Sequence, residues 1–550
     1  MNTMAILLSA FVIAVIGLMF FIWTQRRELI STNREAAESI FGAGEIGAIE
    51  DPASTRASRA AMQEERQSDA IVSKVDPKEI EERIDADRSS ASVALLMMSF
   101  AAAWLLAGSF FGLISSIKLN APDWLSGALW LTFGVTRTLH LNIVAYGWAP
   151  MACLGCTIWM LPRLLKTTLI GSGYAMLGAC VWNLSLLLGL TGIANGYNTG
   201  LEWLEIPTPI ALGIVVGGAL IAMPLVFTLA NRKATHLYVS VWYISAALFW
   251  FPVLLLAAKL PIHFGIEQAT MNWWFGHNVL GLFYTPLSLA YIYYLLPKII
   301  GRPVENYNLS LIGFWTLAFF YGQVGGHHLI GSPVPGWLIN LSIVQSVMMI
   351  VPVAAFTINQ HLTMRGHFRL LVHSPTLRFI VFGGMMYTLS SVQGSMEALR
   401  SINTITHFTH FTVAHAHLGL YGFVTMVMFG AFYFIMPRIR GYEWPFPKLI
   451  ALHFWLVVLG FALYFIALSW AGFLQGMMML DASRPFIDSV VVTQAGLIGR
   501  SIGGAVMTLG HIVFVGHFLL MLLHRGPQRD QAALLWRDYM PTHAVVTTSN

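Results

Sequence analysis

The chain has 550 residues, of which 56% are apolar and only 10% charged, with a formal net charge of +5. An average soluble domain is about 25% charged, so this composition excludes a soluble globular enzyme and a disordered chain, and three cysteines exclude a disulfide scaffold. The charge is also uneven. Residues 24–91 hold 15 of the 26 acidic and 10 of the 31 basic side chains, leaving 21 basic and 11 acidic ones for everything else.

In chain order, residues 4–23 form one uncharged apolar run, long enough to cross about 30 Å of hydrocarbon. It lacks a basic leader and is followed by Arg26 and Arg27 rather than a cleavage site, so residues 1–23 read as a transmembrane anchor rather than a signal peptide. Residues 24–91, rich in Glu, Asp, Arg, Ala and Ser, read as a charged linker with short helical stretches such as DPKEIEERIDADR. From residue 92 to 550 the chain reads as an all-α polytopic membrane domain. Twelve apolar spans are expected, at 92–118, 138–162, 170–194, 208–230, 237–258, 272–298, 308–330, 337–358, 376–399, 410–436, 449–473 and 496–524. Basic residues gather in alternate loops: Arg163 and Lys166, Arg232 and Lys233, Lys298 and Arg302, Arg365, Arg369 and Arg378, Arg438 and Arg440, Arg525 and Arg529. By the positive-inside rule those loops, residues 24–91 and the C-terminus are cytoplasmic.

An ionisable side chain within hydrocarbon is costly and needs a partner. His140, His277, His327, His328, His415 and His417 all fall in the outer third of their spans, although the topology made no use of histidine. His415 and His417 point about 200° apart on a helix and serve two different ligands, whereas His327 and His328 diverge by about 100° and can share one metal with a third imidazole such as His277. With no carboxylate nearby, imidazoles favour redox metals. The arrangement predicts two axially ligated hemes and one three-histidine copper. His236, His263, His453 and His517 stand alone and read as hydrogen-bonded structural residues, and the Cys153–Cys156 pair reads as packing because Thr157 follows where a covalent heme attachment needs His.

These motifs, RTLHLN, WWFGHN, YLLPKIIGRPV, Tyr321 six positions before GGHHL, and AHAHLG, together resemble the catalytic subunit of cbb3-type cytochrome c oxidases, the C family of heme–copper oxygen reductases, over about residues 92–524. The resemblance implies a twelve-helix heme–copper oxidase bundle, here preceded by one extra transmembrane helix. It implies that His140 and His417 are axial ligands of a low-spin heme b, His415 the proximal ligand of a high-spin heme b3, and His277, His327 and His328 the ligands of copper B. Tyr321 corresponds to a redox-active tyrosine cross-linked to the first copper histidine, Arg137 and Arg500 to residues pairing with heme propionates, and Glu202 to a calcium ligand, with Glu205 as its alternative. Thr285, Tyr293 and Ser310 correspond to an inner proton path. The implied activity is reduction of O2 to water in a bacterial inner membrane, coupled to proton translocation. Cytochrome c would supply electrons through partner subunits bearing heme c, and no nucleic acid is involved.

Gln393 stands where the family has a glutamate, and Glu397 lies one turn further on. Gly281, four residues after His277, occupies the position where nitric oxide reductases place a glutamate, which favours oxygen over nitric oxide as substrate. A non-redox transporter is the competing reading from another class. The anchor and residues 24–91 suggest a fused assembly element; deleting residues 1–91 is expected to lower heme loading, copper content or complex assembly, and unchanged values in the purified variant refute that role.

Overall fold

The computed structural model describes residues 77–528; the apolar run 4–23 lies outside them. Twelve helices account for most of that stretch: α1 (Pro77–Lys118), α2 (Phe133–Leu165), α3 (Ser172–Ala194), α4 (Thr208–Ala230), α5 (Val239–Lys259), α6 (Ile266–Ile300), α7 (Tyr307–Phe320, continued as a 3-10 stretch Tyr321–Leu329), α8 (Gly336–Met364), α9 (Pro375–Glu397), α10 (His410–Arg440), α11 (Lys448–Leu480) and α12 (Gln494–Leu522). Among the described residues ten helices are long and apolar enough to cross a membrane, and α7 and α9 are not among them. The all-helical polytopic class is as expected; of the twelve expected spans, ten helices among the described residues pass on length and composition.

Burial sorts the helices into two classes. In their most apolar windows α2, α6 and α10 are 94%, 89% and 83% buried, whereas α3, α4, α5, α8, α11 and α12 range from 33% to 56%. The first three are inner helices; the others turn Leu, Ile, Phe and Trp outward, as with Ile466 and Trp470 on α11. Close crossings in the outer ring use paired glycines: a Cβ on Gly460 would sit 2.8 Å from the Gly503 carbonyl oxygen, and one on Gly217 would sit 2.8 Å from that of Gly178.

The three inner helices share a local design. Each is interrupted by a π-helical turn, at Val144–Trp148, Leu280–Tyr284 and Leu418–Thr425, shortly after His140, His277 and His417 respectively. Each then carries a proline four residues before a left-handed C-cap: Pro162 and Lys166, Pro297 and Gly301, Pro437 and Gly441. A π-turn inserts one extra residue and re-aims the side chains around it, a device found mostly at functional sites.

The basic loops meet at one end of the bundle. Lys233 and Ala234 donate backbone hydrogen bonds to the Leu165 carbonyl and Glu443 one to that of Pro527, while the Arg302 side chain donates through Nη1 to the Arg365 carbonyl. Helix α1 begins at Pro77, earlier than the apolar stretch that starts at residue 92, because the charged segment before it continues the helix to this end. There Asp87 accepts from Arg163 of α2 at 2.6 and 2.8 Å, with both side chains about nine-tenths buried. A deletion meant to isolate the N-terminal segment therefore has to stop at residue 76. Removing one partner of a buried pair strands the other charge, so Asp87→Ala is expected to cost about 3–5 kcal/mol. A thermal midpoint in detergent equal to that of the parent chain counts against this.

Candidate functional site

At the end opposite the basic loops, α6 and the 3-10 stretch place ring nitrogens of His277, His327 and His328 within 4.8 Å of one another. Among the described residues this is the one group of three metal-capable side chains. The ring centroids are 4.6–5.2 Å apart. Local hydrogen bonds fix how the rings present themselves. The Ser346 hydroxyl donates its proton to the Ser342 carbonyl at 2.7 Å, so its oxygen accepts from His327 Nδ1–H at 2.9 Å, leaving His327 Nε2 bare. Trp273 stacks on His328 at 4.2 Å, and Asn278 Nδ2 donates to the Gly322 carbonyl at 3.0 Å, holding the 3-10 stretch against α6.

Tyr321 opens that stretch and brings its hydroxyl to 3.0 Å from His277 Nδ1. Glycine at 281 is what makes this possible: a Cβ there would fall within the Tyr321 ring. The tyrosine thus fills the volume that a longer side chain at 281 would need.

On α10, His415 and His417 face different neighbours. His417 Nδ1–H donates to the Val413 carbonyl at 2.9 Å and His140 Nδ1–H to the Gly108 carbonyl of α1 at 2.8 Å, so both present Nε2. Their ring planes differ by 6° with centroids 6.2 Å apart. Imidazole–metal bonds of about 2 Å on each side fit that separation. The Tyr464 hydroxyl lies 3.2 Å from His417 Nε2. His415 Nδ1 is 3.3 Å from Gln393 Oε1 and 3.5 Å from Glu397 Oε1. Glu397, only 5% exposed, is therefore turned toward His415 rather than the outer surface.

The arginines behave differently from each other. Arg500 Nε is buried with no hydrogen-bond partner, and its guanidinium lies 5.8 Å from the Tyr464 ring, beside the His140–His417 pair. A buried unpaired donor of this kind calls for an anion. Arg137 is instead ion-paired with Glu202. Among the described residues no group of three candidate metal ligands includes Glu202, so the calcium reading has no support. The buried carboxylate of the same loop is Glu205, which accepts from Asn142 Nδ2 at 3.0 Å and whose carboxyl burial pushes above its ordinary range. Lys259 closes the loop by donating to the Leu204 and Ile206 carbonyls at 2.6 and 2.5 Å.

Of the three expected path residues, Thr285 directly follows the π-turn of α6, Tyr293 lies two turns beyond it, and the Ser310 hydroxyl accepts from Asn359 Nδ2 at 2.9 Å. The Tyr293 hydroxyl is buried beside Ser310 and Asn359. The sequence offers no cue for Tyr387 of α9, a buried tyrosine that packs on the Phe356 ring, as Tyr293 does. Nor does it single out Asn359. Both sit alone on apolar helices without a motif.

Residues 92–506 match the model of a family described as cytochrome C and quinol oxidase polypeptide I. The cbb3-type cytochrome c oxidase subunit CcoN1 of Stutzerimonas stutzeri is 31% identical over 427 residues, covering 74% of this chain and 90% of that protein. A cytochrome c oxidase subunit 1 homolog of Agrobacterium tumefaciens (strain T37) is 28% identical, covering 78% and 83%. The fold resembles a solved heme–copper terminal oxidase dimer with a TM-score of 0.66 at 16% identity, covering 82% of this chain and 88% of that one.

Overpacking a filled core costs about 1–3 kcal/mol or displaces the neighbour. Gly281→Ala is expected to push Tyr321 off His277 and lower metal occupancy of the histidine trio severalfold. Metal analysis of the purified variant checks this, and unchanged occupancy refutes it.

Proposed function

The chain belongs to the heme–copper oxidase subunit I family, whose members here are cytochrome c oxidase catalytic subunits, and on that premise we propose that it reduces O2 to water as a cbb3-type terminal oxidase. The observation that carries this reading is the contact of Tyr321 with His277 inside a three-imidazole cluster, with Gly281 behind it.

In this reading His140 and His417 hold a low-spin heme b, His415 holds a high-spin heme b3, and His277, His327 and His328 hold copper B. When bound, these groups supply one-electron transfer and the binding of O2. The protein's own work is to present them correctly. The Gly108 and Val413 carbonyls and the Ser346 hydroxyl each take an Nδ1–H, so that the opposite nitrogen is free for metal. Gln393 and Glu397 share that task at His415. Arg500, with its unpaired buried donor, receives a heme propionate, whereas Arg137 reaches one only by exchanging its Glu202 partner.

Tyr321 holds a proton at its hydroxyl within hydrogen-bonding distance of the trio. Replacement protons reach it from the basic end by way of Ser310, Asn359, Tyr293, Thr285 and Tyr387, hydroxyl and amide groups embedded among apolar helices. Twelve spans follow one anchor helix in a bacterial inner membrane, with the basic loops cytoplasmic by the positive-inside rule. Electrons come from cytochrome c through partner subunits bearing heme c, since this chain has no attachment motif of its own and its described cysteines are free. Proton translocation accompanies the reaction.

Nitric oxide reduction is disfavoured by Gly281, where a carboxylate ligand would collide with Tyr321. A reduced-minus-oxidised spectrum with metal analysis on the purified complex is expected to show two b hemes and one copper. Non-heme iron in place of copper moves the reading to nitric oxide reduction, and absence of heme ends both. His140→Ala is expected to remove the low-spin signal and spare the high-spin one; equal loss of both refutes the separate assignments.

A further inference from the structure

Three histidines that the proposed reaction does not use lie between α1, α10, α11 and α12, on the basic-end side of the His140–His417 pair: His511, His453 and His517, each at most 4% exposed. Tyr421 lies one turn beyond His417 on α10, and Tyr433 three further turns along. His511 is 11 residues past Arg500 on α12, about 16 Å nearer the basic end.

The hydrogen bonds at His511 fix its chemistry. The Ser109 hydroxyl donates its proton to the Leu105 carbonyl at 2.6 Å, so its oxygen accepts from His511 Nδ1–H at 2.7 Å. His511 Nε2 is then bare and accepts from the Tyr421 hydroxyl at 2.8 Å. If Nε2 gains a proton, it donates to the same Tyr421 oxygen once that hydroxyl turns, and Ser109 is unaffected. Both protonation states therefore keep two hydrogen bonds without movement of any heavy atom. Few buried imidazoles have this property, because removal from water normally penalises the charged form. Ser109 also adjoins Gly108, whose carbonyl orients His140, so His511 is one residue removed from that support.

Below it, His453 Nδ1 lies 3.0 Å from the Tyr433 hydroxyl and its Nε2 has no partner. His517 Nε2–H donates to the Pro445 carbonyl, and its Nδ1 has none. Both imidazoles lie beside the Tyr433 ring, with centroids 5.8 and 6.0 Å away, and each leaves one buried nitrogen unpaired, a deficit that water would satisfy. Among the described residues, the other titratable or charged groups at this column are Tyr421 and Tyr433 on α10 and, at the basic-end rim, the buried Arg440 and Glu443 with His524, which bonds Arg440.

We propose that His511 is a proton acceptor linked to the redox state of the heme between His140 and His417, supplied from the basic end through the His517–Tyr433–His453 cluster. The inference rests on the proposed assignment of that heme. As one electron arrives there, an O–H bond of a hydronium at the basic end breaks and one Nε2–H bond forms on His511, so charge and protons balance. Proton uptake favours the reduced state, so the midpoint potential falls as pH rises, by at most about 59 mV per unit for one proton per electron.

The test is a titration of the low-spin heme potential against pH in the intact purified complex. The parent protein is expected to show a slope, and His511→Gln, which keeps a donor and an acceptor but takes no proton, is expected to keep the bis-histidine spectrum and lose at least two thirds of that slope. A flat parent titration, or an unchanged slope in the variant, overturns the proposal. Should His511→Gln fail to load heme, Tyr421→Phe decides: a reduced slope supports the proposal and an intact one overturns it. His453→Phe is expected to keep the slope but slow proton uptake after rapid reduction at least tenfold; an unchanged rate removes the cluster from the route. Absence of low-spin heme from the parent complex is a different failure, that of the functional reading itself.

Discussion

In the interior of this bundle, the nitrogen an imidazole offers to a metal is set by the hydrogen bond its other nitrogen makes. Carbonyls of Gly108 and Val413 and the hydroxyl of Ser346 accept that bond from His140, His417 and His327. Each of these acceptors belongs to a helix or turn that must be in register for the bond to form. The Gly108–His140 bond ties α1 to α2 and the Ser346–His327 bond ties α8 to the 3-10 stretch, whereas Val413 lies one turn before His417 on α10 itself. A lost acceptor would leave a buried donor unpaired, which costs about 1–3 kcal/mol.

The same economy of polar groups explains the shape of the inner helices. The most buried helices, α2, α6 and α10, carry four of the six histidines, the π-turns and the proline-then-left-handed ends. A π-turn is tolerable there because neighbouring helices can satisfy the displaced backbone groups; on a lipid-facing helix nothing could. The outer helices turn apolar surface outward and use small residues where they cross, while α8, α11 and α12 bring Ser346, Asn359, His453, Arg500 and His511 inward.

Departures from the family pattern are absorbed locally. Gln393 retains an acceptor for His415 Nδ1 without a charge, while Glu397 brings a buried carboxylate to the same nitrogen from one turn away. In the loop before α4, Lys259 supplies a cation to two peptide carbonyls flanking the buried Glu205.

The membrane class, the alternating basic loops and the six histidines could be read from residues alone, because each depends on a property that a sequence states outright: uncharged length, charge position, and a residue type too costly to bury without purpose. The three-residue-per-turn stretch that gathers His327 and His328, and the collision that reserves the space behind Gly281 for Tyr321, could not. The same is true of Glu202, which pairs with Arg137 from 65 residues away. His453 and His517 read singly as structural, and their sequence positions hold no hint of His511 or Tyr433 between them. Periodicity and composition report what each segment does with solvent. Which donor meets which acceptor is settled only when segments distant in the chain are packed together, and in a bundle this dry those pairings decide what each histidine can do.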